Sequence, residues 1–239
     1  MVIALGLLAA IILAGLLFVT PPVGNAPALA RAMDGAHHVA YPGPPVPERF
    51  AAALVATEDH RFYSEAGLDP IAIARAGIGY LTGKPGQGGA TLYQQLAKML
   101  YEPGHPGLLG TAEELLLGIK LALSYPKTTI LQMYSDVAYF GHGFYGLAAA
   151  SCGYFAAPAA GLSWPQAALL AGLLQAPSAD DPLLHPAAAR ARQAHVLGRL
   201  AATGTLTRAQ AERFSRQPLH LSAAGGARCA AGSAGGRAH

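Results

Sequence analysis

The sequence predicts a mainly α-helical protein with an N-terminal transmembrane helix. Three observations carry this prediction. Apolar residues recur at helical spacing through most of the chain, no convincing series of alternating strands appears, and every residue from Met1 to Val19 is apolar or glycine. At about 1.5 Å per residue, that apolar run crosses most of a hydrocarbon core about 30 Å thick.

In chain order, residues 1–20 are read as the anchor. A cleaved signal peptide competes, because Gly24-Asn25-Ala26 offers small residues. There is no basic leading segment, however, and the apolar run exceeds the usual signal core. Orientation is weakly specified, since Arg31 is the first charge after the run. Residues 21–46, rich in Pro, Gly and Ala, read as a stalk.

The folded domain is expected over 47–217. Its first helix follows from Phe50, Ala53, Leu54 and Thr57 at helical spacing and leads into Glu58-Asp59-His60-Arg61. Leu68, Ile71, Ala74, Ile78 and Leu81 suggest a second helix, stopped by a loop running from Thr82 to Gly89. Leu92, Leu96, Met99 and Leu100 place a stripe on a helix from Thr91 to Tyr101, ended by Glu102-Pro103-Gly104. The same periodicity gives helices at about 111–124, 127–139, 143–157, 164–174 and 186–203. The Ala, Gly and Ser-rich tail, 218–239, is expected to be disordered.

Composition narrows the function classes. The chain of 239 residues is 52% hydrophobic and only 12% charged, against roughly 25% charged in soluble domains, which favours a lipid-facing surface or a lipid-like ligand. A net charge of +3, with no cluster of Lys and Arg among stacking aromatics, excludes a nucleic-acid footprint. Cys152 and Cys229 give no disulfide framework. The nine histidines form no His-x-x-x-His pair, and no residue is assigned as a metal ligand.

Two segments carry candidate chemistry. Glu58-Asp59-His60-Arg61-Phe62-Tyr63 sets two acids between an apolar helix and aromatics, where low-dielectric surroundings tune a carboxyl for proton transfer. Taken alone, the acids read rather as solvated or paired with Arg61, since structural ion pairs also perturb carboxyl pKa values. Gly88-Gly89-Ala90-Thr91-Leu92-Tyr93-Gln94-Gln95-Leu96-Ala97-Lys98 is a glycine-rich loop entering a helix, a start that attracts phosphate. It is not a nucleotide-binding P-loop, because Pro85 follows Gly83-Lys84. Taken without other motifs, it reads rather as an ordinary loop before a surface helix.

Taken together, the two segments resemble glycosyltransferase family 51, the peptidoglycan polymerases. Glu58, Asp59, Phe62 and Gly67 fit its Glu-Asp-x-x-Phe-x-x-His-x-Gly motif. Gly88, Gly89, Thr91, Gln94 and Gln95 fit Gly-Gly-Ser-Thr-Ile-Thr-Gln-Gln, and Lys98 fits the lysine that follows it. Lys127-Thr128-Thr129-Ile130-Leu131-Gln132-Met133-Tyr134, Tyr139-Phe140-Gly141, Gln175-Ala176-Pro177 and the helix with Arg192, Val196 and Leu197 extend the similarity to about Leu200.

The resemblance implies a lysozyme-like helical fold at the outer face of a bacterial inner membrane, held by a single span. The reaction it implies joins units of a lipid-linked disaccharide-peptide precursor onto a growing glycan strand, releasing polyprenyl pyrophosphate. Glu58 would be the general base and Glu114 the second catalytic carboxylate. Glu114 would position the donor pyrophosphate directly or through a divalent cation, Mg or Mn, while Lys98 neutralises the leaving group. Asp59, Phe62, Gly88, Gly89, Thr91, Gln94, Gln95 and Lys98 would form the substrate site, with other cell-wall synthesis proteins as partners. Read without the family, Thr111-Ala112-Glu113-Glu114 is a capping box opening a helix.

This sequence departs from the family at several points. Gly110 and Thr111 stand where Arg-Lys precedes the second glutamate, Glu65 replaces His, Ala90 replaces Ser, and Asp136 replaces Asn. Arg61, Lys84 and Arg192 are the cations that would have to replace the lost charge. The alternative is therefore a catalytically weak or inactive envelope protein that binds the precursor or scaffolds a cell-wall partner. A lysozyme-like hydrolase is a third reading, because two carboxylates on a helical fold also cleave glycosidic bonds.

Overall fold

The computed structural model describes Gly15, Phe18 and residues 20–64, 91–101 and 108–222. Among these residues every regular element is helical, apart from one isolated bridge between Tyr139 and Tyr145. The helices are α1 (Ala26–Ala36), α2 (Glu48–Glu58), α3 (Leu92–Tyr101), α4 (Leu108–Ser124), α5 (Lys127–Val137), α6 (Leu147–Phe155), α7 (Trp164–Leu173), α8 (Pro186–Ala202) and α9 (Arg208–Ser215), with a short 3-10 turn at Ala159–Gly161. The helix expected from Leu68 to Leu81, Gly88, Gly89 and the tail beyond 222 lie outside the described residues.

Two helices depart from expectation. The segment read as a stalk holds α1, because the Asn25 carbonyl accepts the amides of Ala28 and Leu29 and so starts a helical turn. Ala26, Ala30 and Asp34 then fall four residues apart on one buried face. Small side chains on that face gave no apolar stripe to recognise. After the helix read at 186–203, Thr207 opens α9 with a capping box: its hydroxyl accepts the Gln210 amide at 3.2 Å, and Gln210 Oε1 accepts the Thr207 amide at 2.8 Å.

The chain divides into two compact units. The first comprises residues 1–29 and 61–130. Within it, α3 and α4 lie alongside one another, burying Leu92, Leu96 and Leu100 with Leu117 and Leu121. Gly118 makes the approach possible, since a Cβ there would sit 3.1 Å from the Gln94 amide nitrogen and 3.2 Å from its Cγ. The chain preceding α1 is clasped by side chains of the same unit. Lys120 Nζ donates to the carbonyls of Thr20 (2.6 Å) and Pro21 (2.9 Å), Tyr125 donates to Val23 O (2.9 Å), and Tyr101 donates to Asn25 Oδ1 (3.1 Å). Among the described residues no helix is long and apolar enough to cross a membrane. Apart from Gly15 and Phe18, the run expected to do so lies outside them.

The second unit comprises residues 30–60 and 131–239. Its α7 is buried throughout from Ala167 to Leu173 and packs against α2 and α8. Alanine and glycine dominate it, so neighbouring backbones come close. Fully buried Gln193 donates Nε2 to the Pro165 carbonyl at 2.9 Å, satisfying polar atoms that would otherwise be costly to bury. Phe50 of α2 meets Phe140 at 6.0 Å between ring centroids, and the Tyr154 hydroxyl donates to Phe140 O at 3.0 Å. Cys152 is disulfide-bonded, where the sequence pattern gave no disulfide framework. The only other cysteine of the sequence, Cys229, is outside the described residues.

Buried Asp34 faces Asp136, whose carboxylate accepts the Gly43 amide at 3.1 Å and Gln132 Nε2 at 2.9 Å, while Asp34 Oδ2 has no hydrogen-bond partner. Burial, and then the Asp136 charge, push the Asp34 carboxyl up to about 7 from an ordinary 3.8. The folded chain therefore binds this proton where the unfolded chain has lost it. The resulting stabilisation is complete below about pH 4 and is lost as pH rises to about 7. Asp34→Asn is expected to flatten that decline, read as urea midpoints from pH 4 to 8. A parental decline in the variant would show that Asp34 is not its source.

Candidate active site

Glu58 is the last residue of α2, whose inner face is fixed by buried Phe50, Ala53 and Leu54. Its carboxylate lies 3.6 Å from Arg192 Nη2, and both side chains are about 15% exposed. Arg192 also donates Nε to the Gly172 carbonyl at 3.1 Å. Seven residues further along α8, Arg199 donates Nε to the Ala56 carbonyl at 3.1 Å, capping the same final turn of α2.

His195 lies between these arginines on the same helix face. Burial first, then Arg192 and Arg199, lower its imidazole below the ordinary value against the pull of Glu58, so it is neutral at pH 7. Tyr134 is also within electrostatic reach of Glu58. Burial, reinforced by that charge, pushes its phenol far up and keeps the hydroxyl protonated. Asp59 is largely buried and ends α2, its amide donating to Val55 O.

In the first unit, Lys98 Nζ lies 3.9 Å from Glu114 Oε1 across α3 and α4. One turn before Lys98 is Gln94 and one turn after Glu114 is Gly118, so the ion pair shares the antiparallel register of the close contact. Lys98 is 70% exposed and Glu114 only 24%, leaving the ammonium's other donors accessible. The capping-box reading of Thr111 and Glu114 fails, because α4 already begins at Leu108. A true capping box forms instead at α3: Gln94 Oε1 accepts the Thr91 amide at 2.9 Å, and Thr91 Oγ1 accepts the Gln94 amide at 3.3 Å. Gln95 is partly exposed, and Phe62 is wholly buried against Tyr93, 5.1 Å between ring centroids.

The structure thus groups Lys98, Glu114, Gln94 and Thr91 in one unit and Glu58 and Asp59 in the other. Buried Gly110 and exposed Thr111 supply no charge where the family carries Arg-Lys. Of the three cations considered as replacements, Arg192 is engaged by Glu58 and Gly172, while Lys84 lies outside the described residues. Among the described residues, no group of three or more His, Cys, Asp or Glu could hold a metal ion. The sequence reading did not find Arg199, His195 and Tyr134 near Glu58. The only available signal was the spacing of 192, 195 and 199, which puts three basic side chains on one helix face.

Residues 28–201 match the family model described as Transglycosylase. Penicillin-binding protein 1A of Aquifex aeolicus is 41% identical over 175 residues, covering 73% of this chain but 24% of that protein. A Cupriavidus necator protein named as a transglycosylase is 35% identical over 176 residues, covering 74% of this chain and 76% of the relative. A crystal structure of penicillin-binding protein 1A from Haemophilus influenzae is similar over 74% of this chain and 17% of that one, at 21% identity and a TM-score of 0.45. The chain therefore spans about a quarter of the Aquifex relative and most of the Cupriavidus one. With more than half of its residues matched by the model and a relative above 30% identity covered over most of its length, the chain belongs to the transglycosylase family, glycosyltransferase family 51.

Proposed function

We propose that this chain is a peptidoglycan glycosyltransferase that polymerises a lipid-linked disaccharide-peptide precursor into glycan strands and releases polyprenyl pyrophosphate. The observation that carries the proposal is the family match over 28–201, a stretch that contains Glu58, Lys98 and Glu114 in the family's order, with Lys98 and Glu114 paired at 3.9 Å. A lysozyme-like fold accompanies that family reading.

In the proposed reaction, Glu58 accepts the proton of the acceptor sugar's 4-hydroxyl as that oxygen attacks the donor's anomeric carbon. The bond from that carbon to the pyrophosphate oxygen breaks, a glycosidic bond forms with inversion, and the electron pair leaves with the pyrophosphate. Lys98 offsets the charge growing on that leaving group, and Glu114 orients the lysine and the donor. Lys98→Met is expected to lower the rate about 10- to 100-fold by removing a charge-assisted contact, measured as polymer formed per minute. A parental rate would remove Lys98 from the site.

The described residues do not fit a resident metal centre, because Glu114 has a lysine rather than further acids as its partner. A magnesium ion arriving on the pyrophosphate, with one carboxylate as protein ligand, is compatible with this arrangement. No step depends on it.

The placement proposed is single-pass in the bacterial inner membrane, with the catalytic part outside. Two observations support it. Lys120, Tyr125 and Tyr101 hold residues 20–25, the stretch that a signal peptidase would have to reach. The disulfide at Cys152 suits an oxidising compartment.

The second reading, a precursor-binding envelope protein without catalysis, is favoured by Gly110 and Thr111 in place of two cations. The deciding experiment is polymerisation of labelled precursor by detergent-purified protein beside Glu58→Gln and Glu114→Gln, with and without Mg. Longer strands made only by the parent support the transferase. Retained binding without polymer supports the second reading, and shortened strands support a hydrolase.

A further inference from the structure

We propose that Arg192 is a positioning residue that orients the Glu58 carboxylate for proton transfer, with Gly172 setting its reach. The inference rests on the reading of Glu58 as the general base. A carboxylate at the C-terminal end of a helix meets the unpaired carbonyls of the last turn, an unfavourable electrostatic environment in which the side chain would swing outward. Arg192 counters this through its 3.6 Å approach to Glu58 Oε1.

The guanidinium is itself held, because Nε donates to the Gly172 carbonyl at 3.1 Å. A Cβ at position 172 would stand 2.9 Å from Arg192 Cγ and displace the arginine stem. Gly172 therefore provides both the acceptor and the space. Arg199 fixes the backbone of the same α2 turn through Ala56 O at 3.1 Å, so the base is restrained at its main chain and at its carboxylate from one helix. When Glu58 takes up the acceptor's proton and becomes neutral, the bond to Gly172 keeps Arg192 in place for the next cycle.

The test compares Arg192→Ala, Arg192→Lys and Gly172→Ala in the full-length, detergent-purified protein, with helical content measured beside the kinetics. Arg192→Ala is expected to lower kcat about 10- to 100-fold with KM within about twofold, and added ethylguanidinium to restore part of the rate. Arg192→Lys keeps the charge but not the fork, so a smaller loss is expected. Gly172→Ala, which leaves Arg192 present but displaced, is expected to lower kcat several-fold. In a Glu58→Gln background, Arg192→Ala should cost nothing more.

Parental kcat in Arg192→Ala and Gly172→Ala, with Glu58→Gln strongly slowed, would overturn the positioning role and leave the base assignment standing. An additive loss in the Glu58→Gln background, or no rescue by ethylguanidinium of a folded Arg192→Ala, would also overturn it. Parental activity of Glu58→Gln itself would overturn the base assignment and the inference with it.

Discussion

Glu58→Gln is expected to lower the rate of glycan polymerisation about 100- to 10,000-fold while leaving precursor affinity within about twofold. The substitution keeps the shape of the side chain and the end of α2 but removes the carboxylate proposed to accept the proton. Arg192 then faces a neutral amide. Because the pair is only about 15% exposed, some loss of stability accompanies the change, so the rate has to be referred to the folded fraction. Polymer yield from labelled precursor, beside a binding isotherm for the same precursor, separates proton transfer from recognition. Loss of affinity in parallel with rate would make Glu58 a binding residue instead.

Phe50→Ala is expected to destabilise the second unit by about 3–5 kcal/mol. Phe50 is fully buried on the inner face of α2 and meets Phe140 at 6.0 Å, so truncation leaves a cavity beneath the helix that ends in Glu58. Urea unfolding followed by circular dichroism reads the effect, with Phe50→Leu losing much less because it refills most of the volume. A similar midpoint for Phe50→Ala and the parent would mean that α2 is held mainly by its α8 contacts.

How much of this could be read from the sequence varies by element. The helices at Lys127–Val137, Trp164–Leu173 and Pro186–Ala202 lie within the spans expected from the apolar pattern, the first and third because they carry a large apolar face and the second because its apolar run is continuous. Helix α1 escaped it, since its buried face is built from Ala26, Ala30 and Asp34 inside a Pro/Gly-rich stretch. The ordered motifs single out Lys98 and Glu114 as candidates, and two antiparallel helices bring them within 3.9 Å. Arg192 beside Glu58 was a different case: the ion pair forms only when α8 packs against α2, and nothing local to either segment signals it. The same holds for Gly172, a glycine in an apolar helix until the arginine stem beside it explains why nothing larger fits.

The clasp of Lys120, Tyr125 and Tyr101 on residues 20–25 also has a mechanical side. A slack lead lets a domain tumble about its attachment point, whereas this one is bonded at four places within six residues. A tug on the chain ahead of Thr20 is delivered to α4, the helix that carries Glu114, rather than absorbed by loose polymer. The chain ahead of Thr20 and the pose of the helix that carries Glu114 are thereby coupled like handle and blade.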